Sequence, residues 1–277
     1  MYQAYWQLNE KPFEQGFDPR FYYPGDAHQA ALLKLRYTIE NQRGAVLLAG
    51  AGGTGKTLLA QTLKRHLPDH CAPFVHLVFP QMPTADLLAY LADEIGAPRP
   101  ESVGPRGGRS VEESIRRLQV TLTANAEQGR HAVIVVDEAH LLDEARSLEA
   151  MRLLLNFEHE GRPLLTFVLV GQAPLLSTIQ RMPQLEERMA VKCLLRAFTP
   201  DETAGYVSHR VNAAGAGRAI FDADALEALH FESQGIPRRL NRLCELALLI
   251  GYADERASIT REQIEAVSQE LSVAVAA

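Results

Sequence analysis

The sequence predicts an α/β protein, a parallel sheet covered on both faces and followed by a small helical bundle. Three observations predict it. Short apolar runs alternate with amphipathic stretches, and each run is apolar at successive positions, the mark of strands buried on both faces. A glycine-rich loop joins the first of these runs to a helix. After Pro200 the strands stop and only helical periodicity remains.

In chain order, residues 1–24 are rich in aromatics and proline, including Tyr2, Tyr5, Trp6, Phe13, Phe17, Phe21, Tyr22 and Tyr23. So many aromatics in an irregular segment predict a strap packed on something. From Asp26 an amphipathic helix runs to the Gly44 stop. Strands are expected at 45–49, 74–79, 132–136, 164–170 and, more weakly, 191–195. Helices are expected at 56–67, 86–95, 111–128 and 147–157, with a glycine-, proline- and arginine-rich loop at 97–110. Beyond Pro200, helices read at 201–214, 222–234, 237–252 and 260–271, with Asp222 and Thr260 as N-caps. The expected division is therefore a core at 1–199, including the strap at 1–44, and a helical lid at 200–277.

Composition narrows the function classes. With 47% hydrophobic residues, 277 positions can bury a sizeable core. The net charge of −6 supplies no global field toward nucleic acid or acidic lipid, which leaves only local basic patches for such contacts. Cys71, Cys193 and Cys244 lie far apart in apolar stretches, without metal-ligand or redox spacing, and read as reduced core thiols. No apolar run reaches the ~20 residues of a membrane helix. The reduced thiols imply a reducing, cytoplasmic setting, and residues 1–10 do not read as a signal peptide.

Two motifs carry chemistry. Gly50-Ala51-Gly52-Gly53-Thr54-Gly55-Lys56-Thr57 fits G-x-x-x-x-G-K-[ST] between a strand and a helix that continues through Leu58. Small residues let successive backbone N–H groups converge on phosphates, and the helix N-terminus adds partial positive charge. Lys56 is placed to neutralise β- and γ-phosphates, and the Thr57 hydroxyl to ligate Mg²⁺. The second motif, Asp137-Glu138 after the run 132–136, sets two acids at a strand's C-terminal end, where open α/β sheets bind ligands. Asp137 would hold Mg²⁺ and Glu138 would deprotonate the attacking water. His140, two positions on, reads as a packing or hydrogen-bonding residue. Asp-Glu-Ala-His also names a helicase class, but the stretch after Pro200 reads as helices rather than a second sheet domain.

With these motifs, Lys11-Pro-Phe13, Asp18-Pro-Arg-Phe21, the stretch from His28 to Leu35, Asp137-Glu-Ala-His-Leu-Leu142, Leu169-Val-Gly-Gln172, Leu185-Glu-Glu-Arg188 and the 235–244 stretch make the chain resemble the AAA+ ATPases of the ExeA/GspA type, from the general secretion pathway. The resemblance implies a P-loop sheet domain with a helical lid, ATP and Mg²⁺ as ligands, and a homo-oligomer, ring or filament. It implies that Gln172 is the polar sensor beside the γ-phosphate, against a plain turn residue. Arg188 would be the arginine finger toward a neighbouring subunit, against a surface salt bridge. Arg238 would be the second sensor, with Arg239 competing. The aromatic strap would lie against adenine, or serve only as structure. Family members commonly continue into a membrane helix and a periplasmic region, to which nothing here corresponds.

The function expected is thus an oligomeric ATPase that remodels or assembles a protein partner, in secretion or pilus biogenesis, cytoplasmic or peripheral at the inner membrane. The alternatives are a DNA-associated ATPase using Arg238, Arg239 and Arg242 or the arginines of 99–109, and a slowly hydrolysing ATP-dependent switch.

Overall fold

The computed structural model describes residues 1–14, 16, 18–98 and 110–276; Phe17 and the arginines of the 97–110 loop lie outside them. In chain order the helices and strands are α1 (Tyr2–Tyr5), α2 (Asp26–Glu40), β1 (Ala45–Gly50), α3 (Lys56–His66), β2 (Phe74–Leu77), α4 (Thr84–Glu94), α5 (Val111–Glu127), β3 (Ala132–Val136), α6 (Glu149–Leu154), β4 (Glu158–His159), β5 (Arg162–Pro163), β6 (Leu165–Gly171), α7 (Ala173–Gln180), α8 (Pro183–Glu186), β7 (Met189–Leu195), α9 (Pro200–Ala213), α10 (Ala223–Ser233), α11 (Pro237–Ala253) and α12 (Arg261–Ala276). Contacts divide the chain into a sheet unit, residues 30–51 and 56–195, and a helical unit, residues 1–29, 52–55 and 196–277.

In the sheet unit five parallel strands lie in the order β2-β3-β6-β1-β7. Strands β1, β3 and β6 are buried along their whole length, which is why their sequences read as apolar runs, broken only by Thr166 in β6. The edge strand β7 alternates buried Met189, Cys193 and Leu195 with exposed Ala190, Lys192 and Leu194, so it is covered on one face only. That is the physical reason its sequence signal was weak. All three cysteines are free and buried. The stretch read as one helix at 147–157 begins earlier, as a π-helical turn at Glu144–Leu148 capped by Asp143, and passes directly into α6. Short α7, α8 and the β4–β5 hairpin escaped the periodicity because none is long enough to show one.

The helical unit shows what the aromatic strap does. Tyr2, Trp6, Leu8, Phe13 and Phe21 form one core with Tyr206, Leu229, Leu240, Leu243 and Leu248 of the bundle. The Trp6 indole donates to the Leu248 carbonyl at 2.9 Å, and the Tyr2 hydroxyl to Glu245 at 2.8 Å. Buried Arg210 lies 4.9 Å from the Phe21 ring centre and 5.9 Å from that of Phe13, and donates to the Pro12 and Glu14 carbonyls. Aromatic faces and carbonyls thus accommodate the buried cation. Residues 1–29 therefore group with the bundle, not with the sheet as expected, because their apolar partners are bundle residues.

Caps at helix starts follow the sequence in part. Asp222 accepts from the Ala225 N–H, as its position before acidic residues implied. Thr260 does not cap by side chain: its hydroxyl donates to Glu262, and Gln263 accepts from its N–H. At α9, Thr199 and Glu202 form a reciprocal capping box.

Candidate functional site

The strand order sets the stage in the sheet unit. The C-terminal ends of β1, β6 and β3 are neighbours, so the glycine loop after β1, Gln172 after β6 and the acid pair after β3 emerge from one edge. Open α/β sheets bind ligands at that edge.

Gly53 and Gly55 hold φ of +82° and +94°, which L side chains rarely adopt, so glycine is required for this loop path. Lys56 opens α3 and is buried, its ammonium donating to Gly50 O at 2.9 Å and Ala51 O at 2.8 Å. The Thr57 hydroxyl donates to Asp137 Oδ2 at 2.6 Å. Asp137, 2% exposed, also accepts from the Glu138 N–H at 2.9 Å. Burial by itself would push the Asp137 carboxyl up; the His76 ring, with Nε2 3.7 Å away, the Thr57 hydroxyl and the Glu138 amide outweigh it and hold the group below its ordinary value. Asp137 is therefore an anion at neutral pH, beside a hydroxyl. Hard oxygen donors of this kind suit Mg²⁺, so the residues present fit the expected metal.

Glu138 sits in the left-handed region at φ 49° and ψ 35°. Its carboxylate lies 3.3 Å from His140 Nδ1, and the Gln172 N–H points at the same nitrogen from 3.5 Å. Gly171 makes room: a Cβ there would stand 3.3 Å from the His140 N and 2.7 Å from Leu175 Cδ2. Gln172 is exposed and leads into α7. Arg188 lies elsewhere in this unit, 41% exposed, donating to Asn156 Oδ1 at 2.8 Å with Glu158 at 3.9 Å. The fold thus brings Lys56, Thr57, Asp137, Glu138 and Gln172 to one strand edge and gives Arg188 polar partners within the chain.

In the helical unit, the loop tip Gly52–Gly55 meets the start of α11. The Arg238 N–H donates to Gly53 O at 3.2 Å, and a Cβ on Gly53 would come within 2.8 Å of Arg238 Cβ. Arg239 is exposed and its N–H is spent on Ile236 O. His28 of α2 contacts Thr54 O through Nε2 at 2.9 Å. Sequence reasoning missed His76 and the contacts of His140, and it gave His28 no role beyond its place in the 28–35 stretch of the resemblance. His76 lies on β2, which pairs with β3 and sets it opposite Val135, two positions before Asp137; that pairing exists only in the fold, so no sequence signal marked it. His28 opens the 28–35 stretch that shares in the resemblance, but nothing local there assigns it a contact.

A strand–glycine loop–helix whose hydroxyl meets a strand-end carboxylate, on a five-stranded parallel sheet followed by a helical bundle, defines a P-loop ATPase fold of the AAA type. Residues 39–179, just over half of the chain, match the AAA domain family, and the chain belongs to it. It is 34% identical over 276 residues to General secretion pathway protein A of Aeromonas hydrophila, covering 98% of this chain and 49% of the relative. The chain thus spans about half the length of that curated relative. Among solved structures, Cdc6p from Pyrobaculum aerophilum superposes with a TM-score of 0.70 at 20% identity, over 94% of this chain and 70% of its own. The ORC2 protein of Aeropyrum pernix gives 0.68 at 16%, over 95% and 71%. The RuvB branch migration motor of Thermotoga maritima gives 0.58 at 18%, over 88% and 68%. At these identities the three share the fold.

Proposed function

We propose that the chain is an ATPase that couples ATP hydrolysis to remodelling or assembly of a protein partner, as part of a homo-oligomer. The single observation that carries the reading is the 2.6 Å hydrogen bond between Thr57 and Asp137, which joins the two motifs. In this reading the N–H groups of residues 50–58 and the Lys56 ammonium bind the triphosphate. Thr57 and Asp137 hold Mg²⁺, which when bound offsets charge on the phosphate oxygens. Glu138 takes the proton from the attacking water, and Gln172 orients that water. Arg188 exchanges Asn156 for the nucleotide of a neighbouring copy, where a guanidinium stabilises developing charge. The Arg238 side chain senses the γ-phosphate.

The partner class rests on the 34% identity to a secretion-pathway protein; secretion or pilus assembly, at the cytoplasmic side of the inner membrane, fits that likeness. Among the described residues no helix is long and apolar enough to cross a membrane. ATPase rate measured across protein concentration is the direct test. A specific rate that rises with concentration, and is lost in Glu138→Gln, supports an assembly-dependent ATPase. A zero rate at all concentrations would refute hydrolysis, and a salt-dependent shift of duplex DNA seen only with ATP would replace the protein partner with DNA.

A further inference from the structure

The tip of the glycine loop, Gly52–Gly55, belongs to the helical unit, whereas Ala51 and Lys56 on either side belong to the sheet unit. Within the helical unit two successive loop carbonyls are each taken by a donor. Gly53 O accepts from the Arg238 N–H at 3.2 Å, and Thr54 O lies 2.9 Å from His28 Nε2. A carbonyl only accepts, so the ring proton is on Nε2. His28 is 4% exposed, and its Nδ1 is buried without a hydrogen-bond partner. Burial drives its pKa below 6.5, further than the Thr54 carbonyl and Glu202 raise it, which keeps the ring a neutral donor. Its aim is set by Glu202, whose carboxylate accepts from the Asp26 N–H at 2.9 Å and so fixes the first turn of α2.

Peptide planarity gives this contact a consequence. In a trans peptide the C=O of one residue and the N–H of the next point in opposite directions. With Gly53 O and Thr54 O turned toward Arg238 and His28, the N–H groups of Thr54 and Gly55 must point away from them. Consecutive N–H groups presented together make an anion-binding concavity. The close fit leaves the planes little room to rotate: a Cβ on Gly55 would stand 3.3 Å from His28 Nε2.

We propose that His28 is a positioning residue for phosphate binding, holding the Thr54–Gly55 peptide plane so that the Gly55 N–H faces the phosphates. The Arg238 main chain does the same for the preceding plane, and the Gly53 carbonyl in turn stands in for the side-chain cap that α11 lacks. The assignment rests on the reading of residues 50–57 as the phosphate loop.

The test compares wild type, His28→Leu, His28→Gln and Lys56→Ala for MgADP affinity by calorimetry, and for thermal unfolding without nucleotide. Glutamine carries an amide N–H near the position of Nε2; leucine carries none. His28→Leu is expected to weaken MgADP binding roughly tenfold, the scale of one lost hydrogen bond to a charged assembly. Its nucleotide-free unfolding midpoint should stay close to wild type, because leucine removes a buried unpartnered nitrogen while leaving the Thr54 carbonyl without its donor. His28→Gln should stay within about threefold of wild type, and steady-state kinetics of His28→Leu should place the loss in KM more than in kcat. Wild-type affinity in His28→Leu overturns the proposal. So does a His28→Leu protein that fails to fold, or equal losses in both variants that track a lowered midpoint, since the ring would then serve the fold alone. If wild type and Lys56→Ala bind MgADP alike, the phosphate-loop reading itself falls and the proposal with it, whatever the His28 variants do.

Discussion

The hydroxyl of Thr57 donates to Asp137 Oδ2 at 2.6 Å, across 80 positions of sequence. Both oxygens sit at the same strand edge, Thr57 in the first turn of α3 and Asp137 just past β3. If this pair holds Mg²⁺, removing the hydroxyl must weaken the metal-dependent part of nucleotide binding and leave the metal-free part alone. Thr57→Val, nearly equal in volume, is expected to lower MgATP affinity by about tenfold, or 1.4 kcal/mol. Affinity for ATP in excess chelator should change little. Titrations with and without Mg²⁺ check this, and an equal loss in both would refute the metal assignment.

Glu138 separates chemistry from stability. Its carboxylate is the expected base, so Glu138→Gln should bind ATP and lose hydrolysis by roughly 10²–10⁴-fold, the range of a missing general base. Its backbone, at φ 49°, is in a region costly for a residue with a Cβ. Glu138→Gly is therefore expected to be more stable than Glu138→Ala by about 1 kcal/mol, because glycine meets that conformation without steric cost. Chemical denaturation of the two variants tests it; equal stabilities would mean that the left-handed backbone carries no strain.

What was legible in the sequence divides along physical lines. Strands β1, β3 and β6 were readable because central strands of a covered parallel sheet are apolar at nearly every position, and the phosphate loop because its glycines and lysine are local in sequence. The meeting of Thr57 with Asp137 followed from two motifs whose positions on strand ends were each inferable. The roles of His28, His76 and Arg210 were not legible. Each acts through a partner made adjacent only by folding: a loop carbonyl, a carboxylate on the neighbouring strand, and two strap carbonyls. Arg188 shows the reverse. A sequence likeness names a role for it, while the folded chain gives its guanidinium an ordinary polar partner in Asn156.

Arg210 should be among the most sensitive positions of the helical unit. It is 7% exposed, donates to Pro12 O and Glu14 O, and lies over the Phe13, Phe21 and Tyr206 rings. Arg210→Ala leaves two carbonyls without donors and opens a void among three aromatics. A loss of about 3 kcal/mol is expected, with faster proteolysis of the 1–29 strap. Arg210→Lys should recover little, because an ammonium cannot lie flat against the rings while reaching both carbonyls. Unfolding midpoints close to wild type in Arg210→Ala would show that the strap is held by its apolar contacts alone.

His131 gives the sheet unit a dependence on acid that can be assigned to one ring. It precedes β3, is 2% exposed, and its Nε2 is 2.8 Å from Thr166 Oγ1. Burial, with a smaller contribution from neighbouring His70, lowers its pKa from 6.5 to about 4. Between those two values the unfolded chain binds a proton that the folded chain refuses, so protonation favours unfolding. The stability this ring supports is complete above pH 6.5 and is lost as pH falls toward 4. By pH 4.5 the loss should reach roughly 2–3 kcal/mol. His131→Gln keeps a hydrogen-bonding partner for Thr166 and cannot titrate in this range. Denaturation of both proteins at pH 7 and pH 4.5 should therefore show a smaller drop in the variant, by about that amount. Parallel drops would mean that the ring opens to solvent before it takes up its proton.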